Sequence, residues 1–190
     1  MNLMHDPSGS QWRKWDLHVH TPLSMFHRYY GNPEAVWERF LQELEALPPE
    51  FKVIGVNDYI FLEGFKKLRQ DQENGRLKNI QLLLPVIELR LDKFGGSQSH
   101  LSKVNFHIIF SEEVGAALVE KQFLNGLWSK YELAPSYAEL KKTWKALPTP
   151  ESIKELGTLI VETAPAGERP KFGEPLMEGF GNLTFTMEVS

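Results

Sequence analysis

The segment KWDLHVHTPLS, Lys14 to Ser24, sets Asp16, His18 and His20 at intervals of two residues. Side chains alternate faces along an extended strand, so this spacing turns all three the same way. Three ionisable groups on one face of an otherwise apolar segment are costly to bury without a partner. A bound cation is an economical one, because imidazole and carboxylate are its usual ligands. Thr21 and Ser24 follow closely and could orient metal-bound imidazoles through hydrogen bonds. A histidine on a half-buried strand is ordinarily a core or surface residue, so the pair by itself decides nothing.

Other ionisable groups fall within or at the ends of apolar runs. VIGV leads straight into Asn57-Asp58-Tyr59, Glu88 lies inside LLPVIELRL, and His107 lies inside VNFHIIF. Each has an ordinary explanation: Asp58 as a cap or turn residue, Glu88 as the partner of a basic side chain, His107 as a core histidine. Together with His18 and His20, however, four successive strands each offer a possible metal ligand. In parallel α/β barrels the active site is assembled at the C-terminal strand ends from several strands. The pattern points to a polynuclear metal centre.

The elements that must position these residues follow from periodicity. A strand over Trp15–His20 precedes the loop TPLSMFHRYYGN. Asn32 and Pro33 provide a helix cap and first helical residue. Val36, Phe40, Leu44 and Leu47 then recur at helical spacing up to Pro48-Pro49. FKVIGVND reads as a buried strand, FLEGFKKLRQ as a helix, IQLLLPVIELRL as a second apolar strand, DKFGGSQSH as a loop and KVNFHIIF as a further strand. Near-continuous apolar strands alternating with helices predict a parallel sheet covered by helices. Beyond residue 110, SEEVGAALVEKQFLNGLW is predicted helical, and Ser136 with Glu139 forms a capping box for YAELKKTWKAL. Thr149-Pro150 opens a helix through ESIKELGTLIVE, and TAPAGERPKFGEP is predicted to be a loop.

At 190 residues the chain is long enough for one domain with a sizeable core and hardly for two. A formal charge of −4 argues against a strongly basic nucleic-acid-binding surface. The absence of cysteine excludes disulfides and thiolate-ligated zinc, which leaves His, Asp and Glu as metal ligands. No run approaches the roughly 20 apolar residues of a spanning helix, and the first residues lack an apolar signal segment, so a cytoplasmic location without membrane contact is expected.

DLHVHT is similar to the first motif of PHP (polymerase and histidinol phosphatase) domains. VIGVNDYIFLEGF resembles their second motif, LLPVIEL their P-G-x-E segment and VNFHIIF a later histidine-bearing strand. The resemblance covers residues 12 to 110, with 111–190 as a helical and loop region. SQWRKWDLHVHTP, the N-D-Y form of motif two and EGFGNLTFTMEV are similar to the amino-terminal part of TrlF-type proteins, in which a PHP-like domain precedes an ABC/SMC-like ATPase.

The resemblance implies an α/β fold, here an incomplete, distorted (β/α) barrel of PHP type. It also implies a two- or three-metal centre of Mn, Zn, Fe or Mg that hydrolyses phosphoesters. By position, His18, His20, Asp58, Glu88 and His107 are the implied metal ligands, with Asp16, Ser24 and Tyr59 around them. Tyr59 stands where the family has a histidine, and no histidine follows His107, so the family's carboxy-terminal ligands are missing. The chain is therefore expected to be the amino-terminal part of a longer protein. Its expected partners are a phosphoester substrate, with nucleic acid a candidate, and the ATPase domain of the same protein or a second copy of itself. A role in DNA repair or phage defence would fit. Arg28, Arg90 and Lys93 are candidates for holding a phosphate oxygen, against the ordinary alternative of solvated surface charges. Two rival readings stay open: a degenerate PHP-like module with a regulatory or assembly role, and an amidohydrolase-like hydrolase.

Overall fold

The computed structural model describes residues 12–97, 100–130, 144 and 146–183. The fold is mixed α/β, with a four-stranded sheet in the order β1-β2-β3-β4: β1 (Lys14–Val19), β2 (Phe51–Val56), β3 (Leu82–Ser97) and β4 (His100–Ile109). The chain divides into two compact units, Met1–Val86 with Ile109–Val114, and Ile87–Ile108 with Gly115–Ser190.

In the first unit, β1, β2 and the start of β3 are parallel and are linked by α1 (Pro33–Glu45) and α2 (Glu63–Glu73). Val19 pairs with Val56, and Val56 with Pro85, so these three residues form one row across the sheet. Between the pairs Asp16–Ile54 and Val19–Val56, β1 carries one more residue than β2. This bulge interrupts strict alternation just where His18 lies. The start of α1 follows the sequence pattern: the Asn32 side chain accepts hydrogen bonds from the Glu34 and Ala35 N–H groups, with Pro33 next in the chain. Val36, Phe40 and Leu44 are buried as the spacing requires, and Trp37 and Leu41 join them. The Trp37 indole donates to Asp71 at 2.7 Å, and Arg76 pairs with Glu38 and Glu45. α1 and α2 therefore lie side by side.

In the second unit, the rest of β3 meets β4. Asn105 and His107 reach back to Glu88, and the Gly96 position abuts the His100 carbonyl, so residue numbers rise on one strand as they fall on the other. The parallel arrangement expected of the whole sheet thus holds for β1 to β3, while β4 is antiparallel. A parallel partner needs a crossover of a dozen residues or more, and only two residues separate Ser97 from His100 in the sequence. β3 also runs on through DKFGGS, predicted to be loop, because pairing in the hairpin satisfies that backbone. The predicted helix after residue 110 is broken into a short 3₁₀ turn, α3 (Ala116–Leu118), a π-helical stretch Val119–Leu124 and α4 (Asn125–Lys130). The capping box at Ser136 and Glu139 lies outside the described residues.

Further on, α5 (Pro150–Thr163) begins where expected, with Thr149 and Ser152 in a reciprocal capping box. The segment after it is loop apart from one 3₁₀ turn, Arg169–Lys171. A final helix, α6 (Pro175–Asn182), packs on α5 at two glycines. A Cβ at Gly157 would overlap the Pro175 carbonyl oxygen, and one at Gly179 would overlap the Ile153 carbonyl oxygen. Neither glycine leaves room for a side chain. Among the described residues, no helix is long and apolar enough to cross a membrane.

Candidate metal-ligand sets

In the first unit, the His18 and His20 rings meet edge to face, with their Nε2 atoms 3.1 Å apart. Two ring nitrogens this close share a hydrogen, so one donates and the other accepts. The Asn57 amide nitrogen also lies 3.3 Å from His18 Nε2. An amide NH₂ can only donate, which assigns His18 Nε2 as the acceptor and directs its lone pair at this cluster. Asn57 is fully buried and joins a second residue: its Oδ1 accepts from the Tyr59 N–H at 3.2 Å.

Tyr59 adopts φ 62°, a left-handed conformation that costs a bulky residue roughly 1–2 kcal/mol. Its ring stacks on His20 at 4.9 Å between centroids and meets the Phe26 ring edge-on. The residue standing in for the expected family histidine therefore acts as a wall that fixes the His20 imidazole. Asp16 Oδ1 accepts from the His18 backbone N–H at 3.2 Å, so this carboxylate braces the strand that carries both histidines.

Asp58 is spent differently. It is 1% exposed, and its two oxygens accept from Thr21, one from the backbone N–H at 2.8 Å and one from the hydroxyl at 2.7 Å. These bonds pin the turn after β1 to the end of β2. The start of α2 closes over them at Gly64, where a Cβ would overlap both Asp58 Oδ2 and Thr21 Oγ1. Ser24 is buried nearby, and its hydroxyl makes no hydrogen bond among the described residues.

Burial pushes the Asp58 carboxyl from 3.8 up to about 6, although the Thr21 hydrogen bonds pull the other way. The folded protein therefore holds this proton more tightly than the unfolded chain does. Asp58's contribution to stability is most favourable below about pH 4, declines as pH rises towards 6 and is constant above that. Asp58→Asn, which still offers Thr21 an acceptor, is expected to be more stable than the parent at pH 7.5 by up to about 3 kcal/mol. The advantage should vanish by pH 4. Urea unfolding at the two pH values in EDTA checks this, and parallel pH profiles would show that Asp58 has no raised folded-state pKa.

In the second unit, Glu88 is 2% exposed. Its Oε1 accepts from the Asn105 amide at 2.6 Å, and its Oε2 lies 3.2 Å from His107 Nε2. A buried carboxylate and an imidazole, with an amide orienting the carboxylate, are a suitable half of a metal-ligand set. The structure thus brings together His18 with His20, and separately Glu88 with His107, while Asp58 is engaged by Thr21. Of the candidate phosphate holders, Arg28 and Lys93 are exposed, with Lys93 3.9 Å from its neighbour Asp92. Arg90 instead lies over the Phe180 ring.

Two asparagines, Asn57 and Asn105, escaped sequence reasoning. Asn105 had a signal, since it precedes His107 by two residues on a strand and so shares its face. Asn57 directly follows β2, where no periodicity marks it. A cleft of about 330 Å³ also lies in the first unit, lined by Pro22, Leu23, His27, Tyr29, Trp37 and Lys67 among others. Comparison with protein-family models, with curated proteins and with solved structures finds no match for this chain.

Proposed function

We propose that the chain is a metal-dependent phosphoesterase domain of PHP type, in which His18 and His20 of the first unit, and Glu88 and His107 of the second, serve as ligands of divalent ions. The observation that carries this reading is the donor chemistry. The first unit offers two imidazoles and the second an imidazole beside a buried carboxylate, donors that suit Mn, Fe or Zn in a chain that has no thiolate. Bound divalent ions would supply Lewis-acid polarisation of a phosphoryl oxygen and would lower the pKa of water.

The protein's own part is orientation. Asn57 and Asn105 fix His18 and Glu88, and Tyr59 fixes the plane of His20. The 330 Å³ cleft starts at Pro22, two residues beyond His20, and has room for the organic portion of a small phosphoester. In this reading the domain works beside an ATPase in a longer protein, with a nucleic acid as one candidate substrate.

A second reading, a degenerate regulatory module, draws on Tyr59 and on Asp58. One replaces a family ligand with a phenol, and the other is already occupied by Thr21. Metal content and turnover separate the two readings. Protein purified from metal-supplemented medium is expected to retain Mn, Fe or Zn by elemental analysis and to hydrolyse bis(p-nitrophenyl) phosphate with added Mn. Metal-free, inactive protein would establish the module reading.

A further inference from the structure

The face of the β3–β4 hairpin that carries Glu88 and His107 carries two cations as well. Side chains two residues apart on a strand share a face, which groups Glu88 with Arg90 on β3 and Lys103 with Asn105 and His107 on β4. Arg90 and Lys103 interact electrostatically. Burial holds the Lys103 ammonium below its usual pKa, and the charge of Arg90 adds to that effect.

Both cations are fixed by consecutive residues of α6. The Arg90 guanidinium lies 5.1 Å from the centre of the Phe180 ring, and the Lys103 ammonium donates to the Gly181 carbonyl. Arg90 Nε is buried and makes no hydrogen bond among the described residues. The nearby acids are otherwise engaged: Glu88 is held by Asn105 and His107, and Asp92 is beside Lys93. Two like charges have thus been drawn together and partly buried, and one guanidinium has been left with donors to spare. An anion would relieve this arrangement.

We propose that Arg90 and Lys103 form a phosphoryl-binding site on the Glu88/His107 face of the hairpin. A guanidinium offers two parallel N–H groups to two phosphate oxygens, and an ammonium adds a point charge. The phenyl ring of Phe180 and the Gly181 carbonyl preorganise the pair, so little side-chain entropy is lost on binding. The site deepens the phosphoesterase reading by naming the groups that hold the substrate's phosphoryl group, but its ligand binding needs no metal.

The experiment titrates the full 190-residue chain with inorganic phosphate in EDTA at constant ionic strength, read by thermal unfolding and by ³¹P line broadening. A parallel arm uses dimethyl phosphate as a diester probe. Saturable stabilisation is expected, with phosphate affinity at least ten-fold weaker in Lys103→Met. Arg90→Lys keeps the charge, loses the fork and should also weaken binding at least ten-fold while the protein stays folded. Tighter binding of inorganic phosphate would mark a monoester site, and tighter binding of dimethyl phosphate a diester site. No saturable effect of either probe, or equal affinity in parent and both variants, would overturn the proposal. Phosphate binding by a protein that lacks metal and turnover would uphold this site while refuting the phosphoesterase reading.

Discussion

Glu88→Gln is expected to weaken divalent-metal affinity by at least about 100-fold, a loss in keeping with removal of a ligand rather than of a group supporting one. The replacement keeps the side chain's length and one oxygen acceptor for Asn105, so the hairpin should survive. It also removes a charge from a position that is 2% exposed. Stability in EDTA should therefore be unchanged or slightly higher. The metal-dependent rise in melting temperature, which follows from preferential binding to the folded state, should disappear. Elemental analysis and thermal unfolding with and without Mn provide both readouts. A variant that binds Mn as tightly as the parent would remove Glu88 from the ligand set. One that unfolds in EDTA would show instead that the carboxylate is a structural brace for Asn105 and His107.

Gly157→Val is expected to destabilise the protein by about 3 kcal/mol or more, at the upper end of what overpacking costs. Replacing a helical glycine ordinarily gains up to about 1 kcal/mol in propensity. Here the added atoms would meet the Pro175 carbonyl and lie 2.8 Å from the Gly179 nitrogen. Backbone cannot rotate aside as a side chain can, so α5 and α6 must separate, and the clash outweighs the propensity. A fall in melting temperature of roughly 10 °C is expected for a chain of this size. The same separation would carry Phe180 and Gly181 away from Arg90 and Lys103, so phosphate binding should weaken together with stability. An unchanged melting temperature would mean that the two helices are not packed glycine to glycine.

The sequence alone was enough for whatever depends on neighbours within about one helical turn. Asn32-Pro33 and Thr149-Pro150 mark helix starts because a cap bonds N–H groups two or three residues on. The apolar spacing of α1 names its buried face for the same reason. The donor types were legible too, since a chain without cysteine that interrupts apolar strands with His and Glu has narrowed its chemistry already. By contrast, α6 was hidden. PLMEGFGN contains two glycines and has little intrinsic helix propensity, and it is helical where one of them, Gly179, allows close packing on α5.

Tertiary structure alone decided how each polar group is used. Asp58 and Thr21 are 37 residues apart, His18 and Asn57 39 apart, and Glu88 and Asn105 17 apart. Such pairings are set by strand order, register and direction, none of which a local pattern encodes. The same aspartate that reads as a metal ligand in the sequence is, in the fold, the acceptor for both donors of Thr21. The direction of β4 was decided likewise: KVNFHIIF is equally apolar in either orientation, and only its pairing with β3 places Lys103, Asn105 and His107 on the face of Arg90 and Glu88. Residue type limits what a side chain can do, but its partner depends on which backbone the fold lays beside it.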